Sequence, residues 1–257
     1  MSTISLLGIF LLIAMLSVGK RQGWISFLSL LVNFGLFFLA LILVDFHVPP
    51  LPVTLVFSVC ILAVTIYMGT NELEVAQAAF ISALVIFICL FVLVIVVEHF
   101  AQVPGFANED SGELEGMSVL IGISYAKIAT MVTMLSVLGA IAEAAMAIAT
   151  GVFAMMRSDT TQSLISLLNG GFTIGKQIIG TTLNTLFFGF FGGLLALLVW
   201  FVGLDYSFGT IVNNRIFVAE MITVLISFIG VVLTVPSATL LCVYHFRKHL
   251  DKHSEKQ

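Results

Sequence analysis

From Ala78 to Val97 the chain reads AAFISALVIFICLFVLVIVV, with no charged side chain. A helix needs about 20 predominantly apolar residues to cross the hydrocarbon of a bilayer. In lipid the backbone must satisfy its own hydrogen bonds, so such a stretch is either a spanning helix or the interior of a large soluble core. Composition decides between these. Of 257 residues 60% are hydrophobic and 9% charged, with mean hydropathy +1.17. Soluble domains are about one quarter charged. A chain of this length has too few charges to cover so much apolar side chain, so the bilayer is its solvent.

The sequence therefore predicts an all-α, polytopic transmembrane bundle in one integral membrane domain. Apolar runs place spans near 3–18, 25–44, 53–69, 78–98, 117–141, 181–203 and 216–244, about seven in all. The first run has no basic segment before it, and Lys20 and Arg21 follow it, which is unlike a cleaved signal peptide. Pro236 in the last run removes a backbone donor and is expected to kink that helix. Cys60, Cys89 and Cys242 lie in apolar runs at spacings that match neither a disulfide framework nor a zinc site.

Orientation follows from Lys and Arg in the loops. With the basic tail 245–257 cytoplasmic, seven crossings place the N-terminus outside. Lys20, Arg21, Arg157, Lys176 and the tail residues Arg247, Lys248, Lys252 and Lys256 then lie inside, and Arg215 outside. The loop His99–Gly116 becomes external, as does Asp45–Pro52 with its three prolines. One internal loop, Asn71–Gln77, carries Glu72 and Glu74 without a base and does not support the assignment.

From Met117 to Met156 only Lys127 and Glu143 are charged. A single helix over this stretch would be about 60 Å long at about 1.5 Å per residue, twice the hydrocarbon thickness. The expected arrangement is one crossing to about residue 141 and a helical extension at the inner surface. Two crossings with a tight break near Gly139 are the alternative. Next, Leu164, Leu167, Leu168 and Phe172 recur at helical spacing, while Ser163, Ser166 and Asn169 turn elsewhere. This pattern predicts an amphipathic helix near 160–173 lying in the interface. Gly170-Gly171 would then let the chain turn into the next crossing.

Two blocks stand out from ordinary spanning sequence. One is GAIAEAAMAIATGVFAM at 139–155, a run of small residues around the single acid Glu143. The other is IGKQIIGTTLNTLFFGFFGG at 174–193. Together they resemble the YibE/F family of bacterial membrane proteins. The second block is similar to a family pattern of basic-acidic-Ile-Ile-Gly-Thr-x-x-Asn-Thr-Leu. Lys176 stands where the family usually has Arg, Gln177 where it usually has Asp, and Glu143 where Asp is common. Without an acid at Gln177, that position makes no charge pair with Lys176. The resemblance implies a multipass protein of the bacterial plasma membrane, of the family's shorter kind, paired with a longer member that has an extracytoplasmic segment. It brings no established biochemical activity with it.

The candidate residues for an ion or solute path, or for an interhelical polar core, are Lys127, Glu143, Lys176, Thr181, Asn184, Thr185 and Glu220. An intramembrane charge is costly and usually faces protein or a wet cavity. Lys127 and Glu220 lie at compatible depths from the outer side, so they suit either a charge pair in a path or a structural pair. Lys127 snorkelling to the surface is a further reading. Glu143, among Ala140, Ala142, Ala144, Ala145, Ala147 and Ala149, suits a cation- or proton-binding carboxylate. Its structural reading is a surface carboxylate paired with Arg157 or Lys176. Thr181, Thr182, Asn184 and Thr185 suit either interhelical hydrogen bonds or a small-solute site beside a broken helix. Gly189, Gly192, Gly193 and Gly203 thin one helix for close packing. His245, His249 and His253 form one stripe in the tail. No carboxylate or thiol completes a metal site there, and the tail reads as a basic juxtamembrane segment near anionic lipid.

No zinc-protease, esterase or phosphate-loop motif is present, nor an Asp pair within the spans. The chain is expected not to be an enzyme, to hold no cofactor or metal and to bind no nucleic acid. It reads as a non-catalytic integral component of a transport or export system, in a hetero-oligomer with a longer YibE/F-type protein. The alternative is an assembly or scaffold protein with no solute path of its own.

Overall fold

The computed structural model describes residues 3–101, 125–158 and 162–254, with the side chains of 125–126 and 245–254 outside that description. The expected start of the fifth span at 117–124 and most of the external loop before it lie outside the described residues. The described residues form helices joined by short turns. They are α1 Thr3–Asp45, α2 Pro50–Gly69, α3 Leu73–Ala101, α4 Tyr125–Ser158, α5 Leu164–Gly203, the short α6 Phe208–Val212 and α7 Arg215–Ser254. Six of them are long and apolar enough to cross a membrane.

The first helix is broken within its 43 residues. Lys20 has φ 49° and ψ −122°, the angles of the first corner of a type II′ turn, which glycine favours. The chain folds back there. A Cβ on Gly23 would strike the backbone carbonyl of Met15, so only glycine permits the close return. The two apolar runs expected at 3–18 and 25–44 lie on either side of this break. Gln22 Nε2 donates to the Met68 carbonyl at 3.0 Å and Asn33 Nδ2 to Thr65 Oγ1 at 2.8 Å, fastening the second limb of α1 along α2.

α4 is the hub. It packs against α2, α3, α5 and α7, and 61% of its apolar window is buried, against 17–33% in the other five long helices. Ala140, Ala142, Ala144, Ala145 and Ala149 are all buried. Lipid tails are as apolar as the side chains, so helices here gain by van der Waals packing, and small residues bring backbones close. Ala142, Ala145 and Ala149 share one packed core with Leu90 and Phe87 of α3, Leu62 and Ile66 of α2, and Val235 and Ala238 of α7. The helix passes through Gly139 without a break, so the alternative of two crossings joined there is not formed.

α5 starts at an N-cap, Ser163, whose side chain accepts from the Ser166 amide at 3.2 Å. The amphipathic segment expected near 160–173 is helical from Leu164. It does not turn at Gly170-Gly171 but continues as one helix to Gly203. The glycines serve packing instead. A Cβ on Gly171 would meet Thr239 Cγ2 at 2.5 Å, and one on Gly175 would strike Val235 Cγ1, both on α7. The last helix likewise runs on through Pro236, and it continues into the tail as far as Ser254.

These contacts predict which glycines carry the fold. Gly175→Leu overpacks the α5–α7 seam and is expected to cost about 1–3 kcal/mol or more. Gly180→Leu and Gly189→Leu, which face open space, are expected to be tolerated. Thermal unfolding in detergent distinguishes them, and equal losses at all three positions would refute the seam.

Candidate functional site

Polar side chains gather at two levels of the bundle. The first lies inside, between α3, α4 and α7. Glu98, in the last turn of α3, is only 7% exposed. Thr133 Oγ1 of α4 lies at hydrogen-bond distance, 3.3 Å, from Glu98 Oε1. The Thr133 and Thr223 hydroxyls are 3.1 Å apart, and Thr223 on α7 donates to the Ala219 carbonyl at 3.2 Å. Thr130 and Ser227 are buried on the adjoining turns, and Ser227 donates to the Thr223 carbonyl at 2.8 Å. Thr223 lies about 12 Å inward of the start of α7 at about 1.5 Å per residue.

Lys127 and Glu220 flank this cluster without joining it. Glu220 is one turn from Thr223 on α7 and Lys127 nearly two turns from Thr133 on α4, and both are exposed. No ion pair joins Lys127 to Glu220 among the described residues, so the pairing that their depths allowed is not made. Both heads turn outward, and hydroxyls rather than charges tie α4 to α7.

The second level is an uncovered stripe. On α4, otherwise enclosed, Val132, Ser136, Gly139, Glu143, Thr150 and Ala154 form one exposed arc. Beside it, Lys176, Gln177, Thr181, Asn184 and Thr185 are exposed on α5. Glu143 and the α5 threonines share a level, because Ala140 and Ala144, on either side of Glu143, pack with Ile178, Ile179 and Leu183. Three of the α5 groups bond within their own helix. Thr181 Oγ1 donates to the Gln177 carbonyl at 3.2 Å, Asn184 Nδ2 to Gly180 at 2.9 Å and Thr185 Oγ1 to Thr181 at 3.0 Å. None of these three reaches another helix, so the interhelical bonds expected of them are not made within this chain. Thr182 alone turns inward, where its hydroxyl is buried without a hydrogen-bond partner among the described residues.

Glu143 is not paired with Arg157 or Lys176. Arg157 Nη1 instead donates to Glu72 Oε1 at 2.7 Å, with both side chains about half exposed. The acid in the loop that carried no base thus meets its base on the neighbouring helix. At its other end the α4 arc leads into a cavity of about 320 Å³ lined by Asn33, Phe37, Ile61, Val132, Leu135 and Ser136. Asn33 Oδ1 is buried there without a hydrogen-bond partner among the described residues. The side chains of His245, His249 and His253 lie outside the described ones.

Sequence reasoning missed Glu98. It closes an apolar run and stands beside His99, so it reads as the polar boundary of a span. The available signal was register, since Glu98 falls one turn from Val94 on the face that repeats through Leu90, Phe87 and Ala83, all buried.

The architecture is that of a polytopic helical membrane protein. The chain matches the family described as YibE/F-like protein over residues 6–248 and belongs to it, as the blocks around Glu143 and Lys176 suggested. No curated protein and no solved structure matches it.

The interior cluster makes a quantitative expectation. Thr133→Val removes the hydrogen-bond partner of a buried carboxyl and is expected to cost about 1–3 kcal/mol, with Thr223→Val costing about 1 kcal/mol. The double variant should fall short of the sum, since the two hydroxyls touch. Strict additivity in thermal unfolding would show that they do not.

Proposed function

We propose that this protein is a non-catalytic membrane component of a transport or export system, working with a second, longer member of its family in the bacterial plasma membrane. The observation that carries this reading is the uncovered stripe of Glu143, Lys176, Gln177, Thr181, Asn184 and Thr185. A carboxylate and a row of polar groups along apolar helices are not solvated by lipid tails. They call for either water or another protein against them. The small residues Gly139, Ala154 and Gly180 leave that face thin enough for a close-packed partner helix.

In this reading the stripe is one wall of a polar path and the partner supplies the other. Glu143 is the group that would meet the moving ion or solute. No nucleotide-binding loop is present in the sequence, so energy would come from an ion gradient or from the partner. The N-terminus lies outside and the tail inside, in keeping with the basic residues of the loops. The joined ends of α4 and α5, near Arg157 and Ser163, then face the cytoplasm.

Purification in mild detergent from a strain carrying its neighbouring genes is expected to yield a stable complex with a longer family member. A cross-linker placed at Ala154 or Thr150 should capture that partner, and one at Phe100 on the far side should not. Within the reconstituted complex, Glu143→Gln is expected to lower ion-driven flux at least tenfold while the complex stays assembled. A homogeneous protein with no partner overturns the pairing. An assembled complex with undiminished flux in the Glu143→Gln variant overturns the path and favours a scaffold.

Labelling of single cysteines from outside intact cells, in a background with Cys60, Cys89 and Cys242 replaced, checks the orientation. Residue 3 and residue 207 should react, and residues 71 and 162 should not.

A further inference from the structure

The interior cluster is a row of three contacts: Glu98 to Thr133, Thr133 to Thr223, and Thr223 to the Ala219 carbonyl. A hydroxyl has one proton to donate, while an ionised carboxylate and a carbonyl only accept. If Glu98 is ionised, two threonine protons must serve three contacts, and one contact goes unmade. If Glu98 carries a proton, each contact has its own. Glu98 then donates to Thr133, Thr133 to Thr223 and Thr223 to Ala219, in one direction along the row.

The surroundings favour the second state. Glu98 is 7% exposed, and no Lys, Arg or His among the described residues lies within ion-pair distance of it. On its own helix His99 is exposed, and on α4 and α7 the exposed Lys127, Arg215 and Glu220 stand outward of the row. α2 brings no charged residue, while Asp45 ends α1 and His47 sits in the turn between the two. A buried carboxylate without a countercharge neutralises by taking up a proton.

We propose that Glu98 is a proton-binding site in the interior of the helix bundle, holding its proton through the hydroxyl row Thr133–Thr223. The ligand is H⁺, and binding converts the carboxylate to the neutral acid with no other covalent bond changed. Release reverses the row, with Thr133 donating back to the carboxylate and one downstream contact broken. Protonation at Glu98 therefore reaches α7 through Thr223, and it does so without a charged residue. The use of this proton as a coupling ion rests on the transport reading above, whereas its presence does not.

Infrared spectroscopy of the full-length protein at pH 7 tests the site. The expected result is a protonated-carboxyl C=O band that disappears in Glu98→Gln and persists in Glu220→Gln and Glu143→Gln. Glutamine keeps the size and a donor toward Thr133, so the fold should survive. In Thr133→Val the band should remain and move to higher frequency, because the acid loses its acceptor. Absence of the band in the wild type, or its persistence in Glu98→Gln, overturns the proton site. An unmoved band in Thr133→Val overturns the row. If the band behaves as expected but the reconstituted complex carries no proton flux, the coupling role falls and the site stands.

Discussion

The close approach of α4 to four neighbouring helices is the constraint on which the rest depends. Hydrophobic burial does not drive helices together in lipid, so contact area and distance must do so. The buried alanines from Ala140 to Ala149 place the backbone of α4 near those of its neighbours, and the bulky partners Phe87, Leu90 and Ile66 fill what remains. The same economy recurs on α5, where Gly171 and Gly175 admit Thr239 and Val235 of α7. A bundle closed in this way has little freedom to adjust, and single added carbons at the seams are felt.

Tight packing also divides the polar groups. Of those that face the seams, Glu98, Thr133 and Thr223 find partners inside, whereas the Thr182 and Thr239 hydroxyls have none among the described residues. Those on the one uncovered arc of α4 and the adjoining face of α5 have only their own backbone, as Thr181, Asn184 and Thr185 show. The interior row joins α3, α4 and α7 and is complete within this chain. The surface stripe has one side only. A single chain thus holds a finished polar element and an unfinished one, and the unfinished one draws attention to what lies beyond the chain.

Charge plays a smaller part than composition would suggest. The pair Glu72–Arg157 is exposed at both ends, and surface pairs of this kind contribute little to stability. Its use is positional, because it ties the α2–α3 turn to the end of α4. The energetically demanding group is Glu98, an ionisable side chain buried with no countercharge near it and held by hydroxyls.

Much of the architecture was legible in the sequence. The apolar runs marked the helices, since length and hydropathy alone decide whether a segment can cross a bilayer. The small-residue row around Glu143 marked the hub, because close packing needs small side chains wherever it occurs. The tertiary structure decided the rest. The amphipathic segment after Ser163 continued into α5, because Gly170 and Gly171 were needed against Met155 and Thr239 rather than for a turn. Lys127 and Glu220 matched in depth but not in azimuth, and depth is all that residue counting measures along a helix. Glu98 ended an apolar run, and nothing local distinguishes a carboxylate that meets water from one that meets a neighbouring threonine. The sequence determined which segments are helices and which faces are thin. Which polar groups share an interior could be decided only by the rotation of each helix about its axis, and that rotation is set by packing among residues far apart in the chain.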